Sequence, residues 1–275
     1  MYKEYYQLRE EPFSITPDPR FIYFTAQHQE ALNHLLYGIR ERKGFTCLTG
    51  EVGTGKTTLC RALLRQLGDD CHTALILNPV LTETQILRAI VEEFGISSRR
   101  NDRLGLLKAL NDFLLRVNTE GRNAVVIIDE AQDMSVAALE LVRLLSNLET
   151  DSQKLLQIVL LGQPELRAKL LRPNLRQLAQ RITVRFHLSE MDERDTRQYL
   201  THRLAVAGVR SDQPSVWFDS SAVSEIYRYS RGTPRLVNAI SDKALLAGYV
   251  HQTGCIDGRL VELAAAELKG TCESA

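Results

Sequence analysis

Residues 50–57 read Gly-Glu-Val-Gly-Thr-Gly-Lys-Thr. Two glycines five apart followed by a lysine and a hydroxyl is the G-x-x-x-x-G-K-[ST] spacing of a phosphate cradle. Gly50, Gly53 and Gly55 let the backbone curl so that its N–H groups and the start of the next helix surround phosphate oxygens. Lys56 reaches the β and γ oxygens, and the Thr57 hydroxyl reaches magnesium. The binding segment is therefore Gly50, Glu51, Val52, Gly53, Thr54, Gly55, Lys56, Thr57 and Thr58. A second cluster follows the apolar run Ala124 to Ile128 and consists of Asp129 and Glu130. Carboxylates at the end of a buried strand lie where ligands bind in open α/β sheets. Asp129 suits a role as magnesium holder through water, and Glu130 suits a general base that polarises an attacking water. The small GTPases' base-recognition motif is not evident, so the ligand expected is ATP with Mg2+.

Four further residues could complete the chemistry. Gln163, after Leu161-Gly162, could hydrogen-bond the γ-phosphate or the water beside Glu130; a turn residue before Pro164 explains it as well. Arg176 and Arg181 precede an apolar run, and an arginine there could neutralise transition-state charge in a neighbouring subunit. Arg235, opening a helix after Gly232-Thr233-Pro234, could contact phosphate. Solvated surface arginines are the plainer explanation of both.

The elements that must hold these residues follow from periodicity. Short apolar runs at Phe45 to Thr49, Ala74 to Leu77, Val125 to Ile128, Ile158 to Leu161 and Ile182 to Phe186 alternate with amphipathic helical stretches. That alternation predicts a parallel sheet covered by helices. The phosphate loop leaves the first strand and opens a helix over Thr58 to Leu67. After Ser189 no strong strand follows, and helices are predicted over 192–207, 220–230, 234–249 and 257–268. Gly208 and the Gly232-Thr233-Pro234 step punctuate them. Two domains are expected: 1–189, a nucleotide-binding α/β domain with an N-terminal helical extension, and 190–275, a small helical lid.

Composition bounds the rest. The 275-residue chain carries 34 basic and 34 acidic residues, so no global field draws it to nucleic acid or anionic membrane. Cys47, Cys60, Cys71, Cys255 and Cys272 are odd in number and form no C-x-x-C pair, which argues against a disulfide framework or zinc site. No leader-like apolar core opens the chain and its apolar runs are too short for a bilayer, so a cytoplasmic location is expected.

With these landmarks in this order, the chain resembles AAA+ ATPases, and more closely those of the general secretion pathway protein A and ExeA type, including relatives in MSHA-type pilus biogenesis. The opening carries much of the resemblance, from Tyr6-Gln7-Leu8-Arg9-Glu10-Glu11-Pro12-Phe13 through Asp18-Pro19-Arg20-Phe21 to His28-Gln29-Glu30-Ala31-Leu32. So do Leu48 to Thr58, Asp129-Glu130-Ala131-Gln132, Leu161 to Leu166 and Gly232 to Arg235. The resemblance implies Walker A roles for Lys56 and Thr57 and Walker B roles for Asp129 and Glu130. It also implies a first sensor at Gln163, a finger at Arg181 and a second sensor at Arg235. It places Phe21 and Tyr23 near the adenine edge, where core packing accounts for them equally. It further implies ATP-dependent self-assembly and partners among secretion or pilus assembly proteins at the inner membrane. The same branch resembles transposition regulators that form filaments on DNA. A basic stretch of Arg167, Lys169, Arg172, Arg176, Arg181 and Arg185 would suit that alternative, although the neutral total charge favours an intersubunit arginine face.

Overall fold

The computed structural model describes residues 1–14, 18–98, 100, 102–151, 153–210 and 212–270. In chain order its elements are α1 (Tyr2–Tyr5), α2 (Ala26–Arg40), β1 (Phe45–Gly50), α3 (Lys56–Leu67), β2 (Cys71–Ile76), α4 (Glu83–Glu93), α5 (Arg103–Thr119), β3 (Asn123–Ile128), α6 (Val136–Leu145), β4 (Leu156–Gly162), α7 (Pro164–Leu170), α8 (Arg176–Arg181), β5 (Ile182–Leu188), α9 (Glu193–Val206), β6 (Trp217–Phe218), α10 (Ser220–Ser230), α11 (Pro234–Val250), β7 (Cys255–Ile256) and α12 (Gly258–Gly270). They pack into two units. The larger comprises Ala26–Glu51 and Leu59–Leu188; the smaller comprises Met1–Thr25, Val52–Thr58 and the chain from Ser189 onward.

The larger unit is built on a five-stranded sheet of order β2-β3-β4-β1-β5. All its pairings are parallel. The inner strands β1 and β4 are buried throughout and β3 nearly so, which is why their sequences are apolar runs rather than alternations. At the edge, β5 largely alternates, with Ile182 and Val184 buried and Thr183 and Arg185 exposed. Strand β2, at the other edge, starts three residues before the predicted run because Cys71, His72 and Thr73 are only half buried and carry no apolar signal. Helices α4, α5 and α6 are started by Thr82, Asp102 and Ser135, each accepting a backbone N–H three residues on. Such a cap contributes about 1 kcal/mol. Their apolar faces, including Ile86, Leu110 and Leu139, close the core against β3 and β4.

The smaller unit is helical, with one minimal addition: β6 and β7 pair in parallel over two residues each, Trp217 opposite Cys255 and Phe218 opposite Ile256. The N-terminal segment, grouped with the first domain on sequence, packs here instead. Tyr6 is buried and its hydroxyl donates to the carbonyls of Leu245 at 3.2 Å and Thr253 at 3.0 Å. The buried Arg203 guanidinium donates to the carbonyls of Pro12 and Ser14 and to the Tyr199 hydroxyl, which in turn donates to Asn238. These bonds satisfy an otherwise costly buried charge and tie residues 12–14 to α9.

Candidate active site

The phosphate loop leaves β1 at Gly50 and runs to Lys56, the first residue of α3. Gly53 has φ +83°, in the left-handed region, and a Cβ there would lie 2.8 Å from the Arg235 Cβ and 3.3 Å from Thr233 Cγ2. Only glycine suits both the turn and that close approach. The loop backbone thus packs on the first turn of α11, and Arg235, exposed, is the second residue of that turn, after Pro234. Thr54 and Lys56 are buried while Thr57 is exposed. The helix start turns backbone N–H groups and the positive end of the helix dipole toward the loop.

Asp129 follows β3 directly, its backbone N–H donating to the Ile76 carbonyl at 2.9 Å, and its side chain is buried. Its Oδ1 accepts the Glu130 N–H at 2.9 Å. Glu130 then turns the chain sharply, at φ 50° and ψ 39°, a conformation uncommon for a residue with a long side chain. Its carboxylate oxygen Oε2 accepts two amide donors, Gln132 Nε2 at 2.8 Å and Gln163 Nε2 at 3.2 Å. Gln163 reaches it because β4 pairs with β3, Ile128 opposite Leu160, so the residue just beyond β4 meets the turn beyond β3. Gln132 also accepts the Gln163 backbone N–H on Oε1 at 3.0 Å. The structure therefore joins two residues expected from sequence, Glu130 and Gln163, both directly and through Gln132, to which the sequence assigns no role. The only signal for Gln132 was its spacing two residues beyond Glu130.

Lys169, on α7, donates to the backbone carbonyls of Gln132 at 2.8 Å and of Met134, and burial lowers its pKa. It is one of three members of the basic stretch that cap carbonyls of their own chain. Arg185 donates to the carbonyls of Ala179 and Ile182. Arg181 donates to Ser146 Oγ at 2.7 Å, to Asn147 and to the Arg143 carbonyl, closing the C-terminal end of α6. Arg167, Arg172 and Arg176 are exposed, and their guanidinium groups make no hydrogen bond or ion pair among the described residues.

Phe21 is a core residue, with the Arg203 guanidinium 4.9 Å from its ring centre, and Tyr23 donates its hydroxyl to Gln198 at 2.6 Å. Burial pushes the thiols of Cys47 and Cys60 up to about 12, so both stay protonated near neutrality. Cys272 lies outside the described residues. Among those residues, no helix is long and apolar enough to cross a membrane.

Residues 39–170, which include the loop and both strand ends, match the model of an AAA domain. Over 271 residues, 98% of this chain, the sequence is 47% identical to the general secretion pathway protein A of Aeromonas hydrophila. The chain spans about half the length of that curated relative, 49%. Among solved structures, the ADP form of the Aeropyrum pernix ORC2 protein superposes with TM-score 0.66 at 21% identity, covering 93% of this chain and 72% of that one. The Thermotoga maritima RuvB Holliday junction branch migration motor gives 0.56 at 20% identity, covering 87% and 68%. At such identities the structural likeness speaks to fold alone, and that fold is the AAA+ P-loop fold of a parallel sheet followed by a helical unit. The chain is an AAA+ protein of the general secretion pathway protein A type.

Proposed function

We propose that the chain binds ATP with magnesium and hydrolyses it, assembling into an oligomer through its nucleotide sites to assist a secretion or MSHA-like pilus apparatus at the inner membrane. The observation that carries the hydrolysis reading is the Glu130 carboxylate. One of its oxygens is held by two amides, while Oε1 accepts no hydrogen bond among the described residues. In the proposed reaction a water oxygen bonds to the γ-phosphorus as the bond to the bridging oxygen breaks. ADP leaves with that electron pair, and the water's proton passes to Glu130. Lys56 and the loop N–H groups hold the β and γ phosphates, and Arg235, packed against Gly53, meets the nucleotide from α11.

Among the described residues no three His, Cys, Asp or Glu cluster as a metal cage. A hydroxyl from Thr57 and a carboxylate from Asp129 fit magnesium, which takes few protein ligands and fills its shell with phosphate oxygens and water. When bound with the nucleotide, the ion neutralises charge on the phosphates.

The secretion role is supported by the similarity to a general secretion pathway protein A, and the pilus reading by the sequence resemblance alone. The test of the enzyme reading is a pair of variants. Lys56→Ala should abolish ATP binding, because it removes a phosphate contact. Glu130→Gln should keep binding and lose turnover by roughly 100-fold or more, because it removes the proton acceptor. Equal hydrolysis rates in wild type and Glu130→Gln would sink the assignment.

A further inference from the structure

Building on the hydrolysis reading above, we propose that Gln132 is a positioning residue that fixes the Glu130 carboxylate and links it to Gln163. Glu130 sits in the left-handed backbone region just past the end of β3, so neither strand alternation nor a helix turn directs its side chain. Something else must hold its rotamer. The nearer of its two amide donors is Gln132 Nε2, at 2.8 Å.

Gln132 is itself fixed at four points. Its Oε1 accepts the Gln163 N–H at 3.0 Å, its Nε2 also donates to Asp133 at 3.2 Å, and its backbone carbonyl accepts Lys169 Nζ at 2.8 Å. The fourth is steric: a Cβ on Gly162 would stand 3.0 Å from Gln132 Oε1, and the glycine leaves that space to the amide. One neutral side chain thus spans the ends of β3 and β4, donating to the base and accepting from the residue placed to sense the γ-phosphate. No other residue type does both at this length. Glutamate keeps the acceptor but replaces the donor with a like charge against Glu130, asparagine is one methylene short, and leucine makes neither bond.

With Oε2 anchored in this way, Oε1 remains to take the proton from water. A base held in one orientation gains rate without gaining nucleotide affinity. Movement of the Gln163 side chain toward a bound phosphate would release its own amide from Glu130, and Gln132, held by the Gln163 backbone N–H, would keep the carboxylate in place.

The experiment is steady-state hydrolysis of MgATP by the full chain carrying Gln132→Ala or Gln132→Glu, the second keeping the side-chain volume should the first fail to fold. Each is also made in the Glu130→Gln background. In the wild-type background kcat should fall roughly 10- to 100-fold with KM for MgATP within about twofold. In the Glu130→Gln background the residual rate should change by less than about twofold, because the group through which Gln132 acts is already gone. A purely structural role would lower both rates alike, and that result would overturn the proposal. So would an unchanged kcat or a large rise in KM. If Glu130→Gln itself turns over like wild type, the base assignment fails first and takes this inference with it. An inactive Glu130→Gln beside a fully active Gln132→Glu sinks this inference alone.

Discussion

A hydrogen atom separates the space at Gly162 from a collision. A Cβ there would meet Leu166 Cδ2 at 2.8 Å and Gln132 Oε1 at 3.0 Å, and Leu166 is buried with little room to retreat. Gly162→Ala should therefore destabilise the protein by about 1–3 kcal/mol through overpacking, read as a lowered denaturation midpoint. In the folded fraction it should lower turnover more than ATP affinity, since the amide it displaces touches Glu130 and not the phosphate loop. Equal losses in both would show that the site had simply loosened. At this scale Lys56, Thr57, Asp129 and Glu130 are legible from sequence because each is tied to a local pattern, a glycine loop or the end of an apolar run. Gln132 is not, because its meaning depends on β3 lying beside β4. No residue spacing within 129–132 encodes a neighbour that arrives about thirty residues later.

Elements differ in legibility for the same reason. The inner strands announce themselves as apolar runs, whereas the first half of β2 reads as polar because it lies at the sheet edge and is only half buried. His72 shows what that edge position entails. Its ring packs edge-on against Phe113 at 5.3 Å between centres, and its Nε2 is buried with no hydrogen-bond partner among the described residues. Burial first, and the Arg122 guanidinium second, lower its pKa from the usual 6.5 against an opposing pull from Glu120. Since the folded value lies below the unfolded one, the unfolded chain takes up the proton first as pH falls through about 6.5. The stability His72 permits is thus complete above that pH and declines from there down to the folded value. Thermal melts at about pH 7.5 and about pH 5.5 should show a smaller acid-induced drop for His72→Leu than for wild type. Identical drops in the two proteins would remove His72 as the cause. The sequence groups the N-terminal segment with residues up to 189 and does not show where it packs, because the partners of Tyr6 are Leu245 and Thr253, at the far end of the sequence, and no window contains both.

At the scale of the whole molecule the open question is how many chains make one active site, and the parallel sheet bears on it directly. Ile182 pairs with Phe45, at the start of β1, whereas the phosphate loop begins at the other end of that strand, at Gly50. Five residues of strand separate the two by about 16 Å. Arg181, just before Ile182, therefore lies at the edge of the sheet opposite the ends of β1 and β3. An arginine from this segment serves a nucleotide more readily on a neighbouring copy than on its own chain. Of the two candidates, Arg181 is already bonded to Ser146 and the Arg143 carbonyl, so its removal should lower the melting temperature. The Arg176 side chain is exposed and makes no such bond among the described residues, so Arg176→Ala should melt like wild type yet lose turnover. A finger supplied in trans is worth roughly 10³- to 10⁵-fold in rate in phosphoryl transfer, so wild-type activity should rise more than linearly with protein concentration. Mixing Glu130→Gln with Arg176→Ala decides it. Each is inactive alone, but an assembly containing both can join an intact Glu130 from one chain to an intact Arg176 from another. Recovered hydrolysis on mixing identifies a shared site. Full activity of Arg176→Ala by itself, or no recovery despite co-assembly shown by light scattering, rules Arg176 out and returns the role to Arg181, which would then have to leave α6 to perform it.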